Sequence, residues 1–306
     1  MTYHVQGHPG DGTVISEEIP SNRYDEICRS KLICVKALAI EEIFALLLDN
    51  YLDFEAELLR RGQELVIWSA KPHDDTMIAR LDIDRRILNF FTSCRLYLDS
   101  SCKNVSAIYG DPSTELASLK LALSSHYDEC WGYRFMEGLR NYVQHQGLPT
   151  HVISQEWSNT EGQNTRYGQY SVVPQVSLSI LRYSKIIKKS ILDELGPDKH
   201  TLDLRRPTRE YVMRLASVHY HIRATLDHRL KLDRQLYQNA CNDYSRINDH
   251  DVVSCQIYAR DSEGTSYAHV DLDQQFLSYY DRLFAKNSIN PELAVSSVNN
   301  TLKDDA

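Results

Sequence analysis

Arg140, Asn141 and His145 stand within six positions of one another and carry the side chains best suited to chemistry in this chain. A histidine titrates near neutrality, so its imidazole can take or give a proton at ordinary pH. An arginine keeps its charge and presents a planar fork of N–H donors matched to phosphate oxygens, which suits it to stabilise developing negative charge. An asparagine beside it can orient either partner. Together they suit proton transfer at a centre that gains negative charge, with no metal required.

The spacing alone is weak evidence. An arginine five positions before a histidine occurs three times, as Arg140/His145, Arg214/His219 and Arg223/His228, and only Arg140 is followed directly by asparagine. A second set of candidates lies between His200 and Arg234, where basic residues outnumber Asp203, Glu210, Asp227 and Asp233. With Tyr211 and Tyr220 interleaved, Arg205, Arg206, Arg209, Arg214, Arg223 and Lys231 form a candidate track for an RNA backbone, although a solvated helix face gives the same pattern. His219, His221, His228 and Cys241 show no familiar zinc spacing, so no metal or cofactor is expected. GHPGDG at 7–12 lacks the Lys-Ser/Thr ending of a phosphate-binding loop. Trp68, Trp131 and Trp157 are isolated and expected in the core.

The elements that must position these residues are mostly helical. Residues 1–23, with Gly7, Pro9, Gly10, Gly12 and Pro20, are expected as an extended or irregular arm. Apolar residues at three- and four-residue steps predict a helix from Tyr24 to Arg61 stopped by Gly62. A second helix is expected behind a cap at Asp82 or Asp84, and a third behind Asp111-Pro112. A fourth runs from about Asp128 to His145 and ends at Gly147-Leu148-Pro149. Alternating residues then predict a hairpin turning near Gly162 and Asn164. A helix follows from Ile180 to Leu195, then a long basic helix capped by Thr208, a second hairpin through SCQIYARDSEGTSYAHVDL and a last helix. The fold class is mainly α, of α+β type: a four-helix bundle at 24–148, a mixed helix and hairpin region at 149–290, and a fraying tail at 291–306.

Composition sets the setting. The 306 residues are 42% apolar and 25% charged, with a net charge of −8, which disfavours indiscriminate nucleic-acid binding. Seven scattered cysteines without a CxxC pair fit a reducing cytoplasm. The start has no basic and apolar leader pattern, and the longest apolar run is broken by Lys36, Glu41 and Glu42, so neither a secretory signal nor a membrane span is expected.

A helical wheel at about 100° per residue gathers Phe135, Met136, Leu139, Tyr142 and Val143 on the core side. Arg134, Gly138, Asn141 and His145 fall on an opposite ridge, and Arg140 lies about 140° from His145. Gly138 in a helix interior invites a close-contact role, and the ridge is expected to face outward toward a second copy of the chain.

Arg140-Asn141-Tyr142-Val143-Gln144-His145, at the end of a fourth helix, resembles the RNxxxH signature of the HEPN (higher eukaryote and prokaryote nucleotide-binding) superfamily, over residues 24–148. The resemblance implies a metal-independent endoribonuclease of toxin or antiviral-defence systems. It would leave a 2′,3′-cyclic phosphate and work as a cytoplasmic homodimer with a composite site. Arg140, Asn141 and His145 are then catalytic, Arg134 and Gly138 line the dimer ridge, RNA is the substrate, and a neutralising or regulatory protein is a further partner. The alternative is a non-catalytic helical interaction or sensor protein that binds RNA, a nucleotide or a protein. A chance motif on an unrelated helical protein also stays open.

Overall fold

Long amphipathic runs dominate the chain, and the computed structural model, which describes residues 1–68, 73–161, 166–248 and 250–289, is mainly helical with small antiparallel sheets. In chain order the elements are β1 (Thr2–His8), β2 (Ile15–Ile19), α1 (Ser21–Ile67), α2 (His73–Tyr109), α3 (Thr114–Glu129) and α4 (Trp131–His145). The next are β3 (Val152–Glu161), β4 (Arg166–Ser177), α5 (Leu178–Ser184), α6 (Lys189–Asp193), β5 (Thr201–Asp203) and α7 (Arg205–Asp243). The last are β6 (Arg246–Ile247), β7 (His250–Asp251), β8 (Ser254–Arg260), β9 (Ser266–Leu272) and α8 (Gln275–Lys286). No helix among the described residues is long and apolar enough to cross a membrane. The turn at Gly162 and Asn164, the side chain of Trp157 and the tail at 291–306 lie outside what is described.

The chain forms two units, and each is discontinuous in sequence. The first comprises residues 1–42, 100–117 and 222–288. Its sheet has the order β2-β1-β8-β9, antiparallel throughout. Of the extended or irregular arm expected at 1–23, Thr2–His8 and Ile15–Ile19 are extended, as paired strands, and α1 begins at Ser21. Tyr3, Val5 and Gly7 alternate with His4, Gln6 and His8, which is the two-residue period of a strand, and Val5 is fully buried. The glycine signal belongs partly to the turn, where Gly10 and Gly12 take φ of +98° and +88°. Gly7 answers to packing: a Cβ there would sit 2.5 Å from Cγ1 of Val252. Val5, Ile19, Ile27, Ala240 and Ile257 form the core under the sheet.

Helix α8 is fastened within this unit by a row of cations. Phe276, Tyr280 and Phe284 recur every four residues, so they share one ridge. Lys31 lies 4.2 Å from the first ring, Arg234 4.9 Å from the second and Arg223 3.8 Å from the third. Arg223 also forms a bidentate pair with Glu41 at 2.8 and 2.7 Å, and Asn287 donates to the same carboxylate at 2.8 Å. Glu41 is only 2% exposed, so its charge is tolerated because these donors surround it.

Among the described residues, the second unit comprises 43–99, 118–221 and 289. Its core is aromatic. Phe44 stacks on His219 at 3.9 Å, Tyr51 meets Phe90, and Tyr211 packs edge-on against both Phe90 and Tyr133 at 6.0 and 4.8 Å. Residues 205–221 of α7 share this core with α1, α2 and α4. A buried carboxylate holds the charged layer: Glu57 accepts from Arg60 and Arg61 and pairs with Arg86 at 3.0 Å. Burial opposes its ionisation, but the hydrogen bonds from Arg60 and Arg61 outweigh that and hold its pKa below the usual value. Strand β4 pairs antiparallel with β3 and with β5.

Several boundaries move for identifiable reasons. Helix α1 passes through Gly62, where a Cβ would lie 3.3 Å from the Tyr170 carbonyl oxygen, so this glycine permits a close approach of β4 and does not stop the helix. Helix α2 begins before Asp82 and Asp84, which serve inside it. Asp82 pairs with Arg61 at 2.5 Å, and Asp84 accepts from the Thr150 amide at 2.9 Å. Ser113 accepts from the Leu116 amide and takes the capping role expected of Asp111. The helix expected over 180–195 is split at Lys185, whose φ is +58°. Asp203 accepts from the Arg205 amide at the start of α7, while the Thr208 hydroxyl turns back to the Leu204 carbonyl.

Glu41→Ala is expected to cost about 3 to 5 kcal/mol, because it strands the Arg223 guanidinium in a buried place. Urea denaturation measures this, and a Glu41→Leu/Arg223→Leu double variant should recover most of the loss.

Candidate active site

Helix α4 owes its place to one strongly apolar face. Gly132, Tyr133, Phe135, Met136, Leu139 and Tyr142 are buried at helical spacing. Trp131 stacks on Phe135 at 4.9 Å and donates to the Ile191 carbonyl at 2.9 Å. Gly132 is required by α7, since a Cβ there would lie 2.3 Å from a Glu210 oxygen. The helix ends with the Gln146 amide donating to the Tyr142 carbonyl at 2.8 Å.

Near that end, Asn141 and His145 are exposed, whereas the Arg140 side chain is only 11% exposed. Nη2 of Arg140 donates to Oδ1 of Asn141 at 2.9 Å and to Oε2 of Glu137 at 3.3 Å. Its Nε is buried and has no hydrogen-bond partner among the described residues. The other oxygen of Glu137 accepts a short hydrogen bond from the Tyr211 hydroxyl. Burial, together with the nearby Cys94 and Glu137, pushes the Tyr211 phenol well above its ordinary pKa. Burial and the Glu137 carboxylate do the same to the Cys94 thiol. The arrangement offers a charged donor fork, held by Glu137 and Asn141, on a helix whose last residue is an exposed histidine.

The outward ridge is only half present. Arg134 is taken by Glu194 at 3.0 Å, and Gly138 faces Ile187, whose Cγ2 would lie 3.0 Å from an added Cβ. Both residues, expected on a dimer ridge, have these neighbours within their own chain. Val143, expected in the core, is only partly buried.

The turn that follows α4 is anchored by groups that the sequence reading missed. Nδ1 of His151 accepts from the Ser177 amide at 3.0 Å, so the neutral ring carries its proton on Nε2, which meets the Tyr142 hydroxyl at 3.3 Å. Burial, and then the charge of Arg80, lower the His151 pKa. Asp84 is 1% exposed and grips the Thr150 amide. Burial pushes its carboxyl up to about 6, against hydrogen bonds from Thr150 and the charge of Arg80.

The basic residues of α7 are largely engaged within the protein. Arg209 is bidentate to Glu55 at 2.8 and 2.9 Å, and Arg223 is bound to Glu41, which removes both from any open phosphate track. Arg205 pairs with Asp203 at 2.8 Å and Arg214 with Glu129 at 3.6 Å. Arg206 and Lys231 keep most of their surface while pairing with Glu210 and Asp227. His219 is fully buried, with Nδ1 3.2 Å from the Tyr97 hydroxyl. Of the tryptophans, Trp131 packs as described and Trp68 is exposed. Among the described residues no group of three or more His, Cys, Asp or Glu side chains is placed to hold a metal.

Comparison with family models, curated proteins and solved structures finds no match. Glu137 was legible in principle, as an acid three positions before Arg140 on a helix. Tyr211, 74 positions away, carried no local signal.

Two measurements follow. The folded protein holds the Asp84 proton more tightly than the unfolded chain, whose ordinary value is 3.8, so this group removes stability as pH rises from about 4 to about 7. Asp84→Asn keeps an acceptor for Thr150 and cannot ionise. Urea titrations across that range should show the variant gaining roughly 1 to 3 kcal/mol relative to the wild type, and a constant difference would remove burial as the cause. Gly138→Val should cost about 1 to 3 kcal/mol through collision with Ile187, read as a lowered midpoint in the same assay.

Proposed function

We propose that this chain is a HEPN-type, metal-independent endoribonuclease that cleaves RNA to a 2′,3′-cyclic phosphate, acting in the cytoplasm as a toxin or antiviral effector. The observation that supports it most is the joining of Arg140 to Asn141 at an exposed helix end that also carries His145. In this reading α1 to α4 supply a HEPN-like four-helix bundle, to which the first half of α7 adds a further helix.

The chemistry assigns each residue one task. The 2′-oxygen attacks the adjoining phosphorus, forming the cyclic ester as the bond to the 5′-oxygen breaks. His145 removes the 2′-hydroxyl proton as general base. Arg140 stabilises the charge that gathers on the non-bridging oxygens, and Asn141 holds the guanidinium in register. The departing 5′-oxygen needs a proton from a second acid, and His145 of a second copy supplies it in a two-fold composite site. Because Arg134 and Gly138 are covered by their own chain, such a dimer uses the Asn141, Gln144 and His145 end of α4. Arg206 and Lys231, the most exposed of the α7 cations, are the remaining candidates for RNA backbone contact. A neutralising or regulatory protein would act by covering the same helix end. The second reading, a non-catalytic RNA- or nucleotide-binding protein, is favoured by the Glu137 carboxylate, which partly neutralises Arg140.

The test is cleavage of labelled RNA in the presence of a chelator, with the product ends identified. His145→Ala and Arg140→Ala are each expected to lower the rate by about 100-fold or more while leaving the melting transition of His145→Ala unchanged. Cleavage that persists unaltered in both purified variants would sink the assignment.

A further inference from the structure

A free arginine side chain explores many rotamers, so a guanidinium that must meet a transition state needs something to hold it. In this protein the holding begins at Tyr211. That ring is fully buried and wedged edge-on between Phe90 and Tyr133, so its hydroxyl has a fixed position. The hydroxyl donates to Oε1 of Glu137, and Oε2 of Glu137 accepts from Nη2 of Arg140 at 3.3 Å. Asn141 completes the grip on the same nitrogen at 2.9 Å. The phenol stays a donor across the physiological range, because burial and the nearby Glu137 carboxylate hold its proton in place.

We infer that Glu137, locked by Tyr211, is a positioning residue that fixes the guanidinium of Arg140 for transition-state contact. This rests on the ribonuclease reading given above. Its signature is specific. A loosened Arg140 still attracts a phosphate through its charge, so ground-state binding persists, but it no longer presents its donors in register as charge develops. The loss therefore falls on kcat and spares KM.

The experiment uses full-length protein with isotope-labelled arginine and measures rotation of the Arg140 guanidinium by NMR, the signal being assigned with Arg140→Lys. The same samples are assayed for kcat and KM on RNA. In the wild type the rotation should be slow. Glu137→Ala should release it and lower kcat by about 10- to 100-fold with KM changed less than about threefold. Glu137→Gln, which keeps one acceptor oxygen, should lie between the two, and Tyr211→Phe, which preserves volume, should release the rotation with a several-fold loss of kcat. Unchanged rotation in Glu137→Ala and Tyr211→Phe overturns the positioning role. Released rotation with wild-type kcat in folded variants overturns its importance to the reaction. If the rotation is released and even the wild type cleaves no RNA, the grip on Arg140 stands and the ribonuclease reading fails.

Discussion

A buried phenol must find an acceptor, and that demand at Tyr211 organises the helical unit. An unpaired hydroxyl in an aromatic core costs on the order of 1 to 3 kcal/mol, which is a large share of the stability of a typical domain. Glu137 meets the demand with one carboxylate oxygen. That half-buried carboxylate then takes a cation, and Arg140 supplies it one turn along the same helix. Each member is held because its neighbour would otherwise be left unsatisfied, so the order of the exposed helix end derives from packing well behind it. Buried polar networks behave in this all-or-none manner because low local polarity strengthens every completed bond and penalises every missing one.

The two ends of one ridge of α4 differ in their surroundings. At the first, Arg134 and Gly138 meet Glu194 and Ile187. At the second, Asn141 and His145 remain open. A wheel places all four on one ridge, and the ridge exists, but a wheel carries no information about the segment that folds back over it. The segment from Ile187 through α6 to Glu194 decides which half of the ridge reaches solvent.

Local patterns were legible in the sequence, and distant partnerships were not. The apolar face of α4, the hairpin of β8 and β9 and the long span of α7 all follow from periodicity. The strand at Thr2–His8 was hidden because its glycines read as turn signals, although Gly7 is small to admit Val252. The basic stretch of α7 read as one surface track because sequence counts charges without their partners. Glu55 and Glu41 lie more than 150 positions from Arg209 and Arg223 and bind their guanidinium groups within the chain. Of the candidate site, Arg140, Asn141 and His145 were visible as a motif. Tyr211, which steadies it, was visible only as an aromatic among cations.

The order in which the chain is made gives the discontinuous units another meaning. Residues 24–148 contain the whole motif, yet Tyr211 is added only with α7, and β1 must wait for β8, which begins at Ser254. A nascent chain that has completed α4 therefore has Glu137 without its anchor and Arg140 without a fixed direction. On the ribonuclease reading proposed above, side chains that stay slack until most of the polypeptide has been synthesised would hold the activity back throughout translation, while the chain is still tethered to a ribosome and to messenger RNA.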